Sequence, residues 1–490
     1  MNKRLNKYLL ILSLIGAIWA LFACAPEETI IIRITPTPAS VVDLPTETAT
    51  QTATHEITPE VTPSPSPSST NTDTPPVVEP TQTSQPLPTI GEGTHVGPVV
   101  PPNYILPTLV IPSPIIPTIT PVPVTATPSG PTATPIPVLD ASRMGIQMYS
   151  NVGQAEWESY VQQAERTGVQ WIKIQVNWAF LQPEAPNVFN EQMQLFERQV
   201  EAASRPPNMR VMLSIAKAPS WARTVNSEDG PPDNPQALAD FITYMLTQTK
   251  IGGAVDAIEI WNEPNLIREW RGTLPFSGSG YMQLFSPSYN AIRAYSPTIQ
   301  IITAGLAPTG TIGSDTVDDR TFLQQMYGAG LANYGADVFV GLHPYGWGNA
   351  PDARCCDAIP DRGWDDNPKF FFIENIEIAY SVMQASGHNT KLWITEFGWA
   401  TWEGLPTEAP ELWMTYNTAR DQLNYTIRAF QIGQSLPYIE GMILWNLNFA
   451  NMFRVEQRDE VAGYSLINPA LLPAERPLYR ALSQATGYGQ

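Results

Sequence analysis

Beyond residue 139 the chain repeats one pattern eight times: a short, almost unbroken apolar run followed by a longer amphipathic stretch. The apolar runs fall at 144–149, 169–176, 208–215, 256–261, 299–304, 336–342, 391–396 and 438–446. Runs this short with so few polar interruptions predict strands buried on both faces, as in a parallel sheet. Between and after them, apolar residues at helical spacing predict helices at 155–167, 191–204, 235–249, 281–295, 370–386, 417–434 and 474–486. Eight β–α units in about 350 residues predict an α/β fold, a parallel (β/α)8 barrel closed on itself rather than an open doubly wound sheet.

The region before residue 140 follows another rule. Lys3, Arg4 and Lys7 precede an apolar run over 8–23, the basic and apolar parts of an export signal, and the run is shorter than the ~20 residues of a spanning helix. Its close, Leu21, Phe22, Ala23, Cys24, resembles the lipobox of bacterial lipoproteins, which implies acylation of Cys24 and an anchor on the outer side of a membrane. Residues 25–139 hold 26 of the chain's 49 prolines, interleaved with Thr, Ser and Val. A proline every few residues forbids helix and favours extended chain. The expected organisation is therefore a lipoprotein signal at 1–24, a disordered Pro/Thr/Ser-rich linker at 25–139 and one (β/α)8 catalytic domain at 140–490, lipid-anchored outside the cytoplasm.

Charge and cysteine usage narrow the function. The formal net charge is −19, and residues 140–490 carry 23 basic against 37 acidic side chains, which excludes nucleic acid as a partner because phosphate binding needs a basic face. Two histidines in that region are too few for a multi-His metal centre. Cys355 and Cys356 are adjacent, a pair that in an exported protein is able to form a vicinal disulfide in the loop after the sixth strand. The aspartates of that loop, Asp352, Asp357, Asp361, Asp365 and Asp366, lack EF-hand spacing and read as a solvated acidic loop.

In a parallel barrel the chemistry sits where strands end and βα loops begin. The fourth run ends IEIWNEPN, placing Asn262 and Glu263 at its carboxyl end, and the seventh ends LWITEFGW, placing Glu396 there. Two carboxylates three units apart face each other across the barrel mouth. Such a pair suits glycosidic bond cleavage, which needs an acid at the leaving oxygen and an anion at an oxocarbenium-like carbon.

These two motifs, each at the matching strand, resemble those of glycoside hydrolase clan A, the retaining TIM-barrel glycosidases that include families 5 and 39. The resemblance runs over 140–490 and implies Glu263 as general acid/base and Glu396 as nucleophile, with a carboxylate gap near ~5–5.5 Å. It further implies Asn262 at the sugar 2-hydroxyl, His343 and Tyr345 of GLHPYG beside the nucleophile or the sugar, and Tyr345 as donor to Glu396. Trp445 of ILWNLNF resembles the clan's aromatic floor under the reacting sugar. Trp178, Trp221, Trp399 and Trp402 crowd the same rim as sugar platforms or packing, and Asn177 and Lys217 are candidate hydroxyl contacts. Several clan members carry an Arg near the end of the second strand where this chain reads IKIQVNWAF, so the subfamily stays open.

The resulting expectation is a monomeric cell-surface enzyme that hydrolyses a β-linked glycan with no metal or organic cofactor. A surface carbohydrate-binding protein without turnover, and a transglycosylase using the same carboxylates, are the alternatives. The glycan, and endo or exo action, are not legible in the letters.

Overall fold

A computed structural model describes residues 136–356 and 366–489. The expected signal segment with Cys24, the expected linker up to residue 135, and Asp357, Asp361 and Asp365 lie outside the described residues.

Eight strands form a closed parallel barrel, each paired with its neighbours in sequence and β1 paired with β8. They are β1 Met144–Met148, β2 Trp171–Asn177, β3 Arg210–Ala216, β4 Ala257–Ile260, β5 Gln300–Thr303, β6 Val338–Leu342, β7 Leu392–Phe397 and β8 Ile439–Leu444. The surrounding helices are α1 Gln154–Arg166, α2 Glu191–Ala203, α3 Gln236–Gln248, α4 Gly278–Tyr295, α5 Asp319–Gly328, α6 Phe372–Ala385, α7 Ala419–Ser435 and α8 Pro477–Thr486. Their limits follow local chemistry. Thr418 and Asp421 form a reciprocal capping box at α7, Asn190 and Ser277 cap α2 and α4, and Pro477 opens α8 where no amide partner is needed.

The interior of the barrel is layered because inward positions recur every second residue. Trp171, Met212, Ala257, Ile302, Trp393 and Ile443 make an apolar plug, its two indoles meeting edge to face at 5.1 Å. At Gly441 a Cβ would collide with the Trp393 ring, so glycine makes room for the indole. Two residues further along the strands the same face turns polar: Lys173, Ser214, Glu259 and Thr395 are all buried. That polar layer is the floor of the mouth.

Two runs expected to be strand end early, β4 at Ile260 and β8 at Leu444. Trp261, Asn262 and Glu263, and likewise Trp445, therefore lie on loops above the barrel. Cys355 and Cys356 are joined as a vicinal disulfide, and the Cys355 amide donates to Glu374 of α6 at 2.9 Å.

Candidate active site

The loop after β4 is held in an uncommon conformation. Trp261 and Glu263 have φ of 76° and 40°, the left-handed region that side-chain-bearing residues seldom occupy and that persists only where neighbours enforce it. Those neighbours are present. The buried Trp261 Nε1 donates to the Glu269 carbonyl at 2.9 Å, and the Glu263 amide donates to the Gly305 carbonyl at 3.1 Å. Asn265 is fully buried; its Nδ2 donates to the Ala307 carbonyl and its Oδ1 accepts from the Ala307 amide. The final Asn of the NEPN motif is thus a brace for the loop that carries Glu263.

Glu263 and Glu396 share a neighbour. His343, at the end of β6 and fully buried, places Nδ1 3.1 Å from Glu263 Oε1 and 4.0 Å from Glu396 Oε2. One ring nitrogen therefore hydrogen-bonds Glu263 and stands at ion-pair distance from Glu396. The ring packs on Gly305, where a Cβ would strike it. Tyr345 donates its hydroxyl to Glu396 Oε2 at 3.2 Å. Burial, then the charge of Glu396, raises the Tyr345 phenol well above its ordinary value, so it stays a neutral donor.

Beneath them lies a charged pair that sequence reading missed. Lys173 of β2 directs Nζ to Glu396 Oε1 at 3.0 Å, to Glu259 Oε2 at 2.8 Å and to the Thr395 carbonyl at 3.1 Å. Burial favours a neutral lysine, but Glu259 and Glu396 outweigh it and hold the ammonium charged. Burial likewise pushes Glu259 up, yet Lys173 and His343 keep its carboxyl far below the usual range. The signal was a single charge inside each of two apolar runs, IKI and IEI, whose period of two puts that charge inside the barrel.

Each remaining candidate has a definite place. Asn262 is buried beside Glu263, and its Oδ1 has no hydrogen-bond partner among the described residues. Trp445 stays half-exposed over the mouth, 4.9 Å from the Tyr464 ring and 6.2 Å from Tyr345. Asn177 is exposed, and its Oδ1 caps the helical turn Trp178–Leu181 by accepting from the Phe180 amide. Lys217 ion-pairs with Asp229 at 2.7 Å, and Trp221 is half-exposed with its indole N–H on the Gln182 carbonyl.

Three expected sugar contacts are corrected. Trp178 is fully buried, stacked on Phe241 of α3 and bonded to Gln182, because the chain turns into helix directly after β2 and swings the indole beneath the rim. Trp399 is buried against Phe372 of α6 and donates to the Asn349 carbonyl. Trp402 is buried as well. His343 also offers the sugar no surface and acts through the carboxylates.

The charge of His343 has a measurable consequence. Burial disfavours its cation, but Glu396, Glu259 and Glu263 overcome that and raise its pKa to about 9 from 6.5. A raised pKa stabilises the fold fully below the unfolded value, and that contribution fades as pH climbs through about 9. The shift corresponds to on the order of 3 kcal/mol. Denaturant unfolding of His343→Gln should therefore show a deficit against wild type that is widest near pH 6 and closes toward pH 9–10; a constant deficit would refute the charged imidazole.

The chain is similar to several known proteins. Residues 137–431 match the model of the cellulase family, glycosyl hydrolase family 5. A family 39 glycoside hydrolase from Bacteroides cellulosilyticus superposes with a TM-score of 0.51 at 16% identity, covering 71% of this chain and 65% of that one. The chain thus spans less than two thirds of that relative. An endoglucanase from Thermotoga maritima gives 0.45 at 12% identity, covering 70% and 97%. No curated protein matches the sequence. With a family match over more than half of its length and a closed eight-stranded parallel barrel beneath its paired carboxylates, the chain belongs to the cellulase family of glycoside hydrolases, glycosyl hydrolase family 5.

Proposed function

We propose that this protein is a monomeric retaining β-glycosidase, lipid-anchored through Cys24 outside the cytoplasm, that hydrolyses a β-linked glycan by double displacement. The observation that carries the reading is the placing of Glu263 and Glu396 at one barrel mouth, 3.1 and 4.0 Å from the same His343 nitrogen, as two carboxylates that flank one glycosidic bond require. Glu396 attacks the anomeric carbon while Glu263 gives its proton to the departing oxygen. Glu263 then takes a proton from water, the water oxygen attacks the same carbon, and Glu396 leaves as a carboxylate.

The supporting residues have matching tasks in this reading. Lys173 and Tyr345 each occupy one oxygen of Glu396, which orients it as an anion. Asn262 offers a buried amide with an open acceptor beside the acid/base, suited to a sugar hydroxyl. Trp445 supplies the half-exposed ring face under the sugar. The family match makes β-1,4-glucan the first substrate to try. Incubating the full chain with β-glucans, xylans, mannans and aryl β-glycosides should release reducing sugar from one class, and Glu396→Ala should abolish it. Release that persists in that variant, or none from any substrate by folded protein, would reject the reading.

A further inference from the structure

Both oxygens of Glu263 are occupied. Oε1 faces the buried His343 at 3.1 Å, so a leaving-group oxygen has to be met by Oε2. That oxygen is covered by Arg268, whose Nη2 lies 3.3 Å away. Arg268 sits five residues after Glu263 in the short helical turn Ile267–Trp270. Its side chain is 65% exposed against 14% for Glu263, and its Nε is 3.9 Å from a second carboxylate, Glu269. The guanidinium is therefore a loosely held cover over the proton-delivering atom, with an alternative partner beside it.

We propose that Arg268 is a positioning residue that gates Glu263: seated, it masks Oε2 and favours the carboxylate, and displaced toward Glu269 by the leaving-group part of the glycan, it frees Oε2 and favours the acid. This rests on the reading of Glu263 as acid/base. Charge counting supports it. Around Glu263 stand His343 and Tyr345 from the β6 end, Glu396 from β7, Glu259 and Lys173 from the barrel floor, and Arg268 and Glu269 from its own loop. Lys217 and Asp229 act on Glu269, and Glu460 of the loop after β8 acts on Arg268.

With Arg268 seated, Lys173, His343 and Arg268 balance Glu259, Glu263 and Glu396. With it gone the buried group carries one excess negative charge, which protonation of Glu263 relieves. Burial raises the Glu263 carboxyl, but His343 and then Arg268 pull it below its ordinary value, the state suited to a base. Burial, then the charge of Glu263, pushes Glu269 up to about 7 against the pull of Lys217 and Arg268, so a closer approach of the guanidinium, now 3.9 Å away, favours its ionised form. One side chain thus matches the two half-reactions: away while the leaving group is protonated, back when water must be deprotonated.

The test compares the wild type, Arg268→Gln and Arg268→Lys across pH on two probes, cellotetraose and 2,4-dinitrophenyl β-cellobioside, or the xylo or manno pair if the substrate panel selects one. On the oligosaccharide, which needs the acid, Arg268→Gln should move the basic limb of kcat/KM to higher pH and exceed wild type there by about two- to fivefold, the range in which exposed ion pairs act. On the dinitrophenyl glycoside, limited by the base-assisted step, it should move the acidic limb of kcat upward and run about two- to fivefold slower there. Arg268→Lys should restore both limbs. Limbs that superpose on wild type, or a loss uniform in pH on both probes, would overturn the gate while leaving the glycosidase intact. A folded wild type inactive on every probe would overturn the acid/base reading and the gate with it.

Discussion

Glu396→Gln should lower kcat by roughly 10⁴-fold or more while the protein stays folded, because the amide oxygen still accepts from Lys173 and its NH2 faces the Tyr345 hydroxyl, which can accept, but the amide cannot attack carbon. Glu263→Ala should divide by substrate. An oligosaccharide, which leaves only when protonated, should lose about 10²–10⁴-fold. A dinitrophenyl glycoside needs no proton to depart, so it should react through the first step, leave a glycosyl-enzyme on Glu396 and then stall for want of a base. Azide should rescue that stalled intermediate and yield a β-glycosyl azide. An α-glycosyl azide, or no burst of dinitrophenol, would exclude the double displacement.

Lys173→Met carries the second large effect, and it separates stability from catalysis. Removing one partner from a buried ion pair leaves uncompensated charge, here on Glu259 and Glu396 together, at a cost of about 3–5 kcal/mol. Thermal unfolding should drop by several degrees, and turnover should fall by roughly 10²–10³-fold because Glu396 loses the cation on Oε1. Adding Glu259→Gln should recover much of the stability, since a neutral amide in the polar layer no longer needs a cation, but little of the turnover. A double variant that regains full activity would mean that Lys173 serves the fold alone.

These outcomes bear on how much the letters carried. The closed barrel was readable because every strand announces itself locally: an apolar run of four to seven residues can be buried on both faces whatever the distant chain does. Glu263 and Glu396 were readable for a related reason. A carboxylate directly after such a run has to stand at the barrel mouth, and the WNEPN and TEFGW contexts placed it at the fourth and seventh units.

Misplaced residues fail for the complementary reason. Trp178 and Trp399 also follow strands, yet position at a strand end does not say which way a large ring turns. That was decided by Phe241 and Phe372 on helices far along the chain, where an indole buries more apolar surface than at the rim.

The supports of the site were the least legible. Lys173 meets Glu396 across 223 residues of sequence, and His343 meets Glu263 across 80. Arg268, only five residues from Glu263, is a plain surface arginine until the left-handed turn at Glu263 aims the carboxylate back at it.

By itself the sequence determined the eight-fold α/β alternation and the two mouth carboxylates, because periodicity and strand-end position are local properties of the chain. Tertiary structure alone decided which cation faces which carboxylate, which aromatic rings remain open to a sugar, and that Arg268 covers Glu263. Those pairings arise only when closing β1 onto β8 brings distant strand ends within a few ångströms, where low dielectric makes each charge depend on its neighbours.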